Sequence, residues 1–371
     1  MKLKSAILFP MVVLCSVAVL SITAHASTVI TDMLLDPSLL KSAGLESVWQ
    51  VNLPLQKAET NQRMYVFGGY VYVLTNQNYL YVIDVEQQAF RFGLLLAPRG
   101  LPVCEPLSHA GQVWFMVGTD LIAVDPARNL EFRRQLKQVV RAPLGAYDSN
   151  HDRLYVPGGD GRLHSIVLDG YWQDFMVAPD DGSPVTSIVA GQERVVFATE
   201  GGQVVCIWSD KPKKRWAFDI VGRITAPVVG DDDWLYVSGQ NAKLHKLDIR
   251  NGRPAWKEAF HAGEPLKKSV FLGEHVVYQS TEGLGVYAID KKTGQSLWNV
   301  RQGIDVLVEI GTRAYVFAEP GKLVVMDNQQ GHLYSINFAP IRKYAINRAD
   351  ASLYVADLQG RVMCIKERSR Q

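Results

Sequence analysis

Residues 234–256 read WLYVSGQNAKLHKLDIRNGRPAW. The stretch opens on a short apolar run, Leu235, Tyr236 and Val237, and passes through a turn-forming segment at residues 238–242. A second alternating run carries Leu244 and Leu247 and ends in Asp248; the turn Arg250-Asn251-Gly252 follows, and Trp256 opens a third run. Side chains of a strand point alternately to its two faces, so apolar alternation bounded by Gly, Asn and Asp predicts strand, hairpin, strand, turn, strand.

The same pattern recurs along almost the whole chain. Aligning the first run places Tyr72, Trp114, Tyr155, Val196, Tyr236, Val277, Tyr315 and Tyr354 in one repeat position, with steps of 42, 41, 41, 40, 41, 38 and 39 residues. The second runs begin at Leu80, Leu121, Leu163, Val204, Leu244, Val286, Leu323 and Val362. Third runs carry Phe92, Arg133, Phe175, Trp216, Trp256, Trp298 and Ser335 at a common offset, five of the seven aromatic. A further run upstream of each first marker, such as residues 184–190 or 224–229, supplies a fourth, innermost strand. Turns such as Gly159-Asp160-Gly161 and Glu200-Gly201-Gly202 suit tight hairpins, where Gly takes a positive φ without steric cost. Repeats of this length, each with several short strands, predict an all-β, eight-bladed β-propeller of four-stranded antiparallel blades spanning residues 47–371.

The last copy ends without its third run. The sequence SVWQVNL at residues 47–53 resembles KRWAFDI at residues 214–220 and puts Trp49 in the marker position. An open ring would leave strand edges exposed, so the N-terminal strand is expected to close the last blade. Ahead of it, residues 27–46 form a lead segment in which Asp36-Pro37 signals the start of one short helix.

The first 26 residues read differently. Lys2 and Lys4 precede an uncharged apolar run over residues 6–22, and Ala24-His25-Ala26 is a small-x-small cleavage site. This predicts a signal peptide over residues 1–26 and a periplasmic protein. The run is almost long enough to serve as an uncleaved anchor instead, but Pro10 and the cleavage site favour removal. Leu14 before Cys15 is too bulky for a lipoprotein signal. Removal takes away two lysines and no acid, which brings 39 basic and 37 acidic residues to 37 of each. A neutral chain argues against nucleic acid as partner, and no stable membrane insertion is expected after cleavage.

The Leu-Tyr-Val run, Gly turn, Leu-x-x-Leu-Asp and following Gly and Trp resemble the repeat of PQQ-like (quinoprotein) β-propellers. Residues 290–298, DKKTGQSLW, match it most fully. The resemblance covers about residues 47–366, and two branches of the group bear on function. Quinoprotein dehydrogenases carry pyrroloquinoline quinone and Ca2+ over the channel. The BamB-like branch serves outer-membrane β-barrel assembly, and this chain is similar to it in length, blade count and N-terminal closing strand. The lipidation cysteine of that branch is missing here. The dehydrogenase branch implies a vicinal cysteine pair, which this sequence also lacks.

The side chains themselves point to no catalytic, cofactor or metal constellation. Asp231-Asp232-Asp233 is one acidic turn, whereas Ca2+ needs roughly six to eight oxygens. The histidines His109, His151, His164, His245, His261, His275 and His332 show no HExxH or HxH spacing. His164 and His245 share a repeat position held elsewhere by Tyr81, Ile122, Val205, Tyr287, Val324 and Met363, which marks a packing slot. Gly321-Lys322 lacks the Ser/Thr of a P-loop, and there is no GxSxG elbow. Cys206 and Cys364 share another repeat position in opposite blades, too far apart for a disulfide, and Cys104 falls on an inner strand with no base beside it. The expectation is a non-catalytic, exported, monomeric scaffold whose faces bind other envelope proteins, in the manner the BamB-like resemblance implies. The alternative is a small quinoprotein, dehydrogenase or sensor, that binds pyrroloquinoline quinone and Ca2+. A carbohydrate-binding propeller is a third reading.

Overall fold

The structure is a computed structural model that describes residues 33–147 and 150–368; the expected signal peptide lies outside them. Its strands pair, all antiparallel, into eight four-stranded sheets. Blades 1 to 7 follow the chain: Asn61–Leu95, Leu107–Gln135, Gly145–Val177, Val185–Asp219, Val229–His261, Phe271–Val300 and Gly303–Asn337. Blade 8 orders Lys343–Tyr344, Ser352–Ala356 and Arg361–Glu367, and its outermost strand is the N-terminal Leu45–Asn52. Trp49 sits opposite Cys364, so the last blade is closed by the first strand, as the displaced SVWQVNL predicted. A short helix, Pro37–Ser42, precedes that strand, with the Asp36 carboxylate accepting from Ser38 N at 2.7 Å.

The apolar runs are nearly continuous because both faces of every blade are buried between neighbours. Alternation now sorts residues by the neighbour they meet. Val71 and Val73 pack with Tyr354 and Cys364 of blade 8, whereas Tyr72 and Leu74 pack with Val113 and Phe115 of blade 2. Similar apolar clusters join blades 2 to 3, 3 to 4, 4 to 5, 5 to 6 and 6 to 7. Blades 7 and 8 meet through the Phe317 and Tyr344 rings, 5.0 Å apart, and through Asn347 N donating to Leu307 O at 2.8 Å. The ring is therefore closed.

The ladders correct the repeat alignment at three positions. In blade 6 the buried position equivalent to Tyr236 belongs to Tyr278, which pairs with Ala288; Val277 pairs with Ile289 and faces blade 5 instead. A one-residue slip in a strand moves a side chain to the other face. In the outer strands, Phe132 and Tyr334 take the places expected for Arg133 and Ser335, opposite Ala123 and Val325. Blade 2 lacks the one-residue bulge found in this ladder of blades 1, 3, 4 and 6, and blade 7 keeps the bulge but shortens the turn after Asp327. Either change brings the aromatic one residue earlier, so every blade carries one.

Blade 5 departs from expectation too. Trp256 does not open a continuous strand: Pro254 forms one bridge to Leu247, and the ladder resumes only at Phe260–His261. Proline has no N–H to give the ladder.

Candidate functional site

The residues weighed from sequence fall into structural roles. His164 is buried and ringed by Asp160, Gln138 and Gln173, while His245 packs edge-on against Phe218 of blade 4, 5.8 Å between rings. Their shared position faces the preceding blade, and burial lowers the His245 pKa. Cys206 and Cys364 are free thiols; each is the small residue beneath an outer-strand tryptophan, Trp216 and Trp49. Burial pushes both up to about 11, which leaves little reactive thiolate at neutral pH. Cys104 lies before the innermost strand of blade 2 rather than on it, and burial raises its pKa as well. In the acidic turn, the Asp231 carboxylate accepts from the N–H groups of Asp233 and Trp234 and lies 3.8 Å from Lys291 Nζ. No group of three or more His, Cys, Asp and Glu among the described residues is placed to hold a metal ion.

The surroundings of the aromatic series vary around the ring, and two arrangements differ in the residue at the fourth position of the next blade's turn. In blades 5 and 6 that residue is Gly252 or Gly294, at φ +72° and +75°. A Cβ there would stand 2.5 Å from the Trp216 ring and 2.8 Å from that of Trp256. The bare backbone lets each indole close over the next blade, where Trp216 Nε1 donates to Ile249 O and Trp256 Nε1 to Lys291 O. In blades 2 and 3 the position is held by Asn129 and Tyr171, both at positive φ. Tyr171 stacks on Phe132 at 5.1 Å, and Asn129 accepts from Arg91 of blade 1. Side chains now stand where the indole would settle. The outer strand Leu130–Gln135 is exposed along its whole length. With Leu95, Trp172 and Met176 it leaves an apolar band on the rim of blades 1 to 3; Leu130 is 57% and Trp172 52% exposed.

The second feature is the central channel. The innermost strands of blades 1, 7 and 8, with residues of blades 2 and 6, enclose a cavity of about 510 Å3. Asp305 is committed within it, accepting from Lys268 Nζ at 3.0 and 3.1 Å and from the Tyr344 hydroxyl at 2.7 Å. Glu105 is the other carboxylate on its wall, which also carries Arg63, Arg342, Lys343 and Arg348.

Comparison with known proteins finds a family match over part of the chain. Residues 210–370 match the family model described as outer membrane protein assembly factor BamB. That match spans 161 of the 371 residues, from the outer strand of blade 4 to the last strand of blade 8. Among solved structures, BamB from Moraxella catarrhalis superposes with TM-score 0.65 at 15% identity, over 87% of this chain and 99% of that one. The computationally designed Ika8 protein gives 0.66 at 13% identity, over 85% and 98%. No curated protein matches. At these identities the superpositions speak for the fold.

The lining of the cavity is a poor match to the Ca2+ that the dehydrogenase resemblance implies. The cavity offers two carboxylates, one already engaged, against the roughly six to eight oxygens Ca2+ takes. The exposed rim was the feature sequence reading passed over.

Proposed function

We propose that this propeller is an exported, non-catalytic scaffold that holds other proteins in envelope or outer-membrane protein assembly, and that the rim of blades 1 to 3 is a docking surface. The observation that carries the reading is the band of Leu95, Leu130, Phe132 and Trp172, exposed in a ring where Trp49 and Trp256 of the aromatic series are buried. Exposed apolar patches of this kind mark interaction sites, and the match of residues 210–370 to a BamB family supports the assembly context. No helix among the described residues is long and apolar enough to cross a membrane.

The test is cross-linking in cells of a Gram-negative host, followed by purification of the tagged chain. Recovery of assembly-machine subunits, lost in a Leu130→Ser/Phe132→Ser/Trp172→Ser variant of unchanged melting temperature, is the expected result. Consistent absence of any such subunit sinks the assembly role. Saturable absorbance changes with pyrroloquinoline quinone and Ca2+, together with dye-linked oxidation of an alcohol or sugar, would overturn the non-catalytic reading.

A further inference from the structure

We propose that the central channel binds a small polyanion, a molecule with two or more carboxylate or phosphate groups, between Arg63 of blade 1 and Arg342, Lys343 and Arg348 of blade 8. Charge is the first argument. With Lys268, the cavity holds five cations against the two carboxylates Asp305 and Glu105, an excess of three in a chain whose full sequence sums to +2. Asp305 is already matched by Lys268, so the excess rests on the four cations of blades 1 and 8.

None of these four forms an ion pair among the described residues. Arg63 Nη1 donates to Val103 O at 3.3 Å and Arg348 Nη2 to Val270 O at 2.8 Å, while Arg342 donates to Ala339 O and Ile341 O. Carbonyl oxygens satisfy hydrogen bonds but leave the positive charges uncompensated. The surrounding protein penalises the Arg348 charge and pushes its pKa down to about 10, although the side chain still meets water in the channel. An anion in the cavity would relieve that penalty.

Shape is the second argument. Like charges on concave, low-dielectric walls reinforce one another and draw in counter-ions. The cavity, about 510 Å3, falls in the range of small-molecule sites and is too confined for a folded partner or a nucleic-acid duplex. Arginine forks bind carboxylate or phosphate through paired hydrogen bonds. The Phe271 ring, 5.1 Å beneath the Arg348 guanidinium, adds an apolar wall.

The experiment is isothermal titration of the purified protein with citrate and with inorganic pyrophosphate, at low and at physiological salt. One saturable site is expected, weaker at the higher salt, and the preferred ion tells a carboxylate ligand from a phosphate one. An Arg63→Gln/Arg348→Gln variant should bind at least about tenfold more weakly. Lys343→Gln, whose side chain makes no hydrogen bond among the described residues, should weaken binding without touching the fold and serves if the double variant does not fold. Arg253→Gln, in an outer turn, should bind as the parent does. The proposal falls if neither ion gives a saturable site, if the channel variants bind as tightly as the parent, or if a short poly-aspartate peptide binds while both small ions fail.

Discussion

At Gly294 two demands meet on one residue. Its φ of +75° disfavours any side chain, and its bare Cα, without a Cβ, is the floor on which Trp256 lies. Gly294→Ala should cost about 2–4 kcal/mol, combining left-handed strain with overpacking of the indole. Gly331→Ala, at φ +86° with open space around it, should cost only about 1–2 kcal/mol. Denaturant unfolding of the two variants separates backbone strain from packing. The aspartates that end the third strands are tuned in the same way. Thr312 Oγ1 donates to Asp327 at 2.6 Å and the N–H groups of Gln329 and Gln330 at 2.8 and 3.0 Å, and these bonds hold its carboxyl below the usual range. The Arg250 side chain, aided by its own N–H, lowers Asp248 likewise. Because the folded pKa is depressed, the stability these groups contribute is complete above the unfolded value near 4 and is lost as pH falls through the lower folded values. Thermal melts should therefore decline below about pH 4. Asp327→Asn should be less stable at neutral pH and lose less on acidification.

At the scale of the strand, one pattern carries two outcomes. Phe132 and Phe175 occupy the same row of blades 2 and 3, yet the first is 40% exposed and the second 9%. Phe175→Ser should cost about 3 kcal/mol or more, as burial lost and a cavity left behind. Phe132→Ser should stay within about 1 kcal/mol, the scale of a surface change. Comparable losses in chemical denaturation would mean that the rim of blades 1 to 3 is packed like the rest. Strand type and order were legible because every blade repeats the same alternation. Register was not legible everywhere: a bulge or a shortened turn shifts an aromatic by one position, and the letters Phe132-Arg133 or Tyr334-Ser335 look alike under either alignment.

For the whole molecule, closure is the decisive element. Leu45–Asn52 covers the edge of the last blade, and Trp49 packs beside Tyr354, 6.0 Å between ring centroids. Trp49→Ala should destabilise the ring by about 3–5 kcal/mol. Deletion of residues 47–53 should lower the melting temperature sharply and promote association through the bared strand. An unchanged melting temperature after that deletion would refute closure as a source of stability.

By itself the sequence determined the number of blades, their strand order and the loan of the first strand to the last sheet. Those properties depend on period and repetition, which are written residue by residue along the chain. The tertiary structure alone decided which aromatics are covered and which charges meet. Arg63 and Arg348 stand 285 positions apart in the sequence and line one cavity only because the ring closes. Likewise Phe132 stacks on Tyr171 of the next blade, a contact between separate repeats that no single repeat contains.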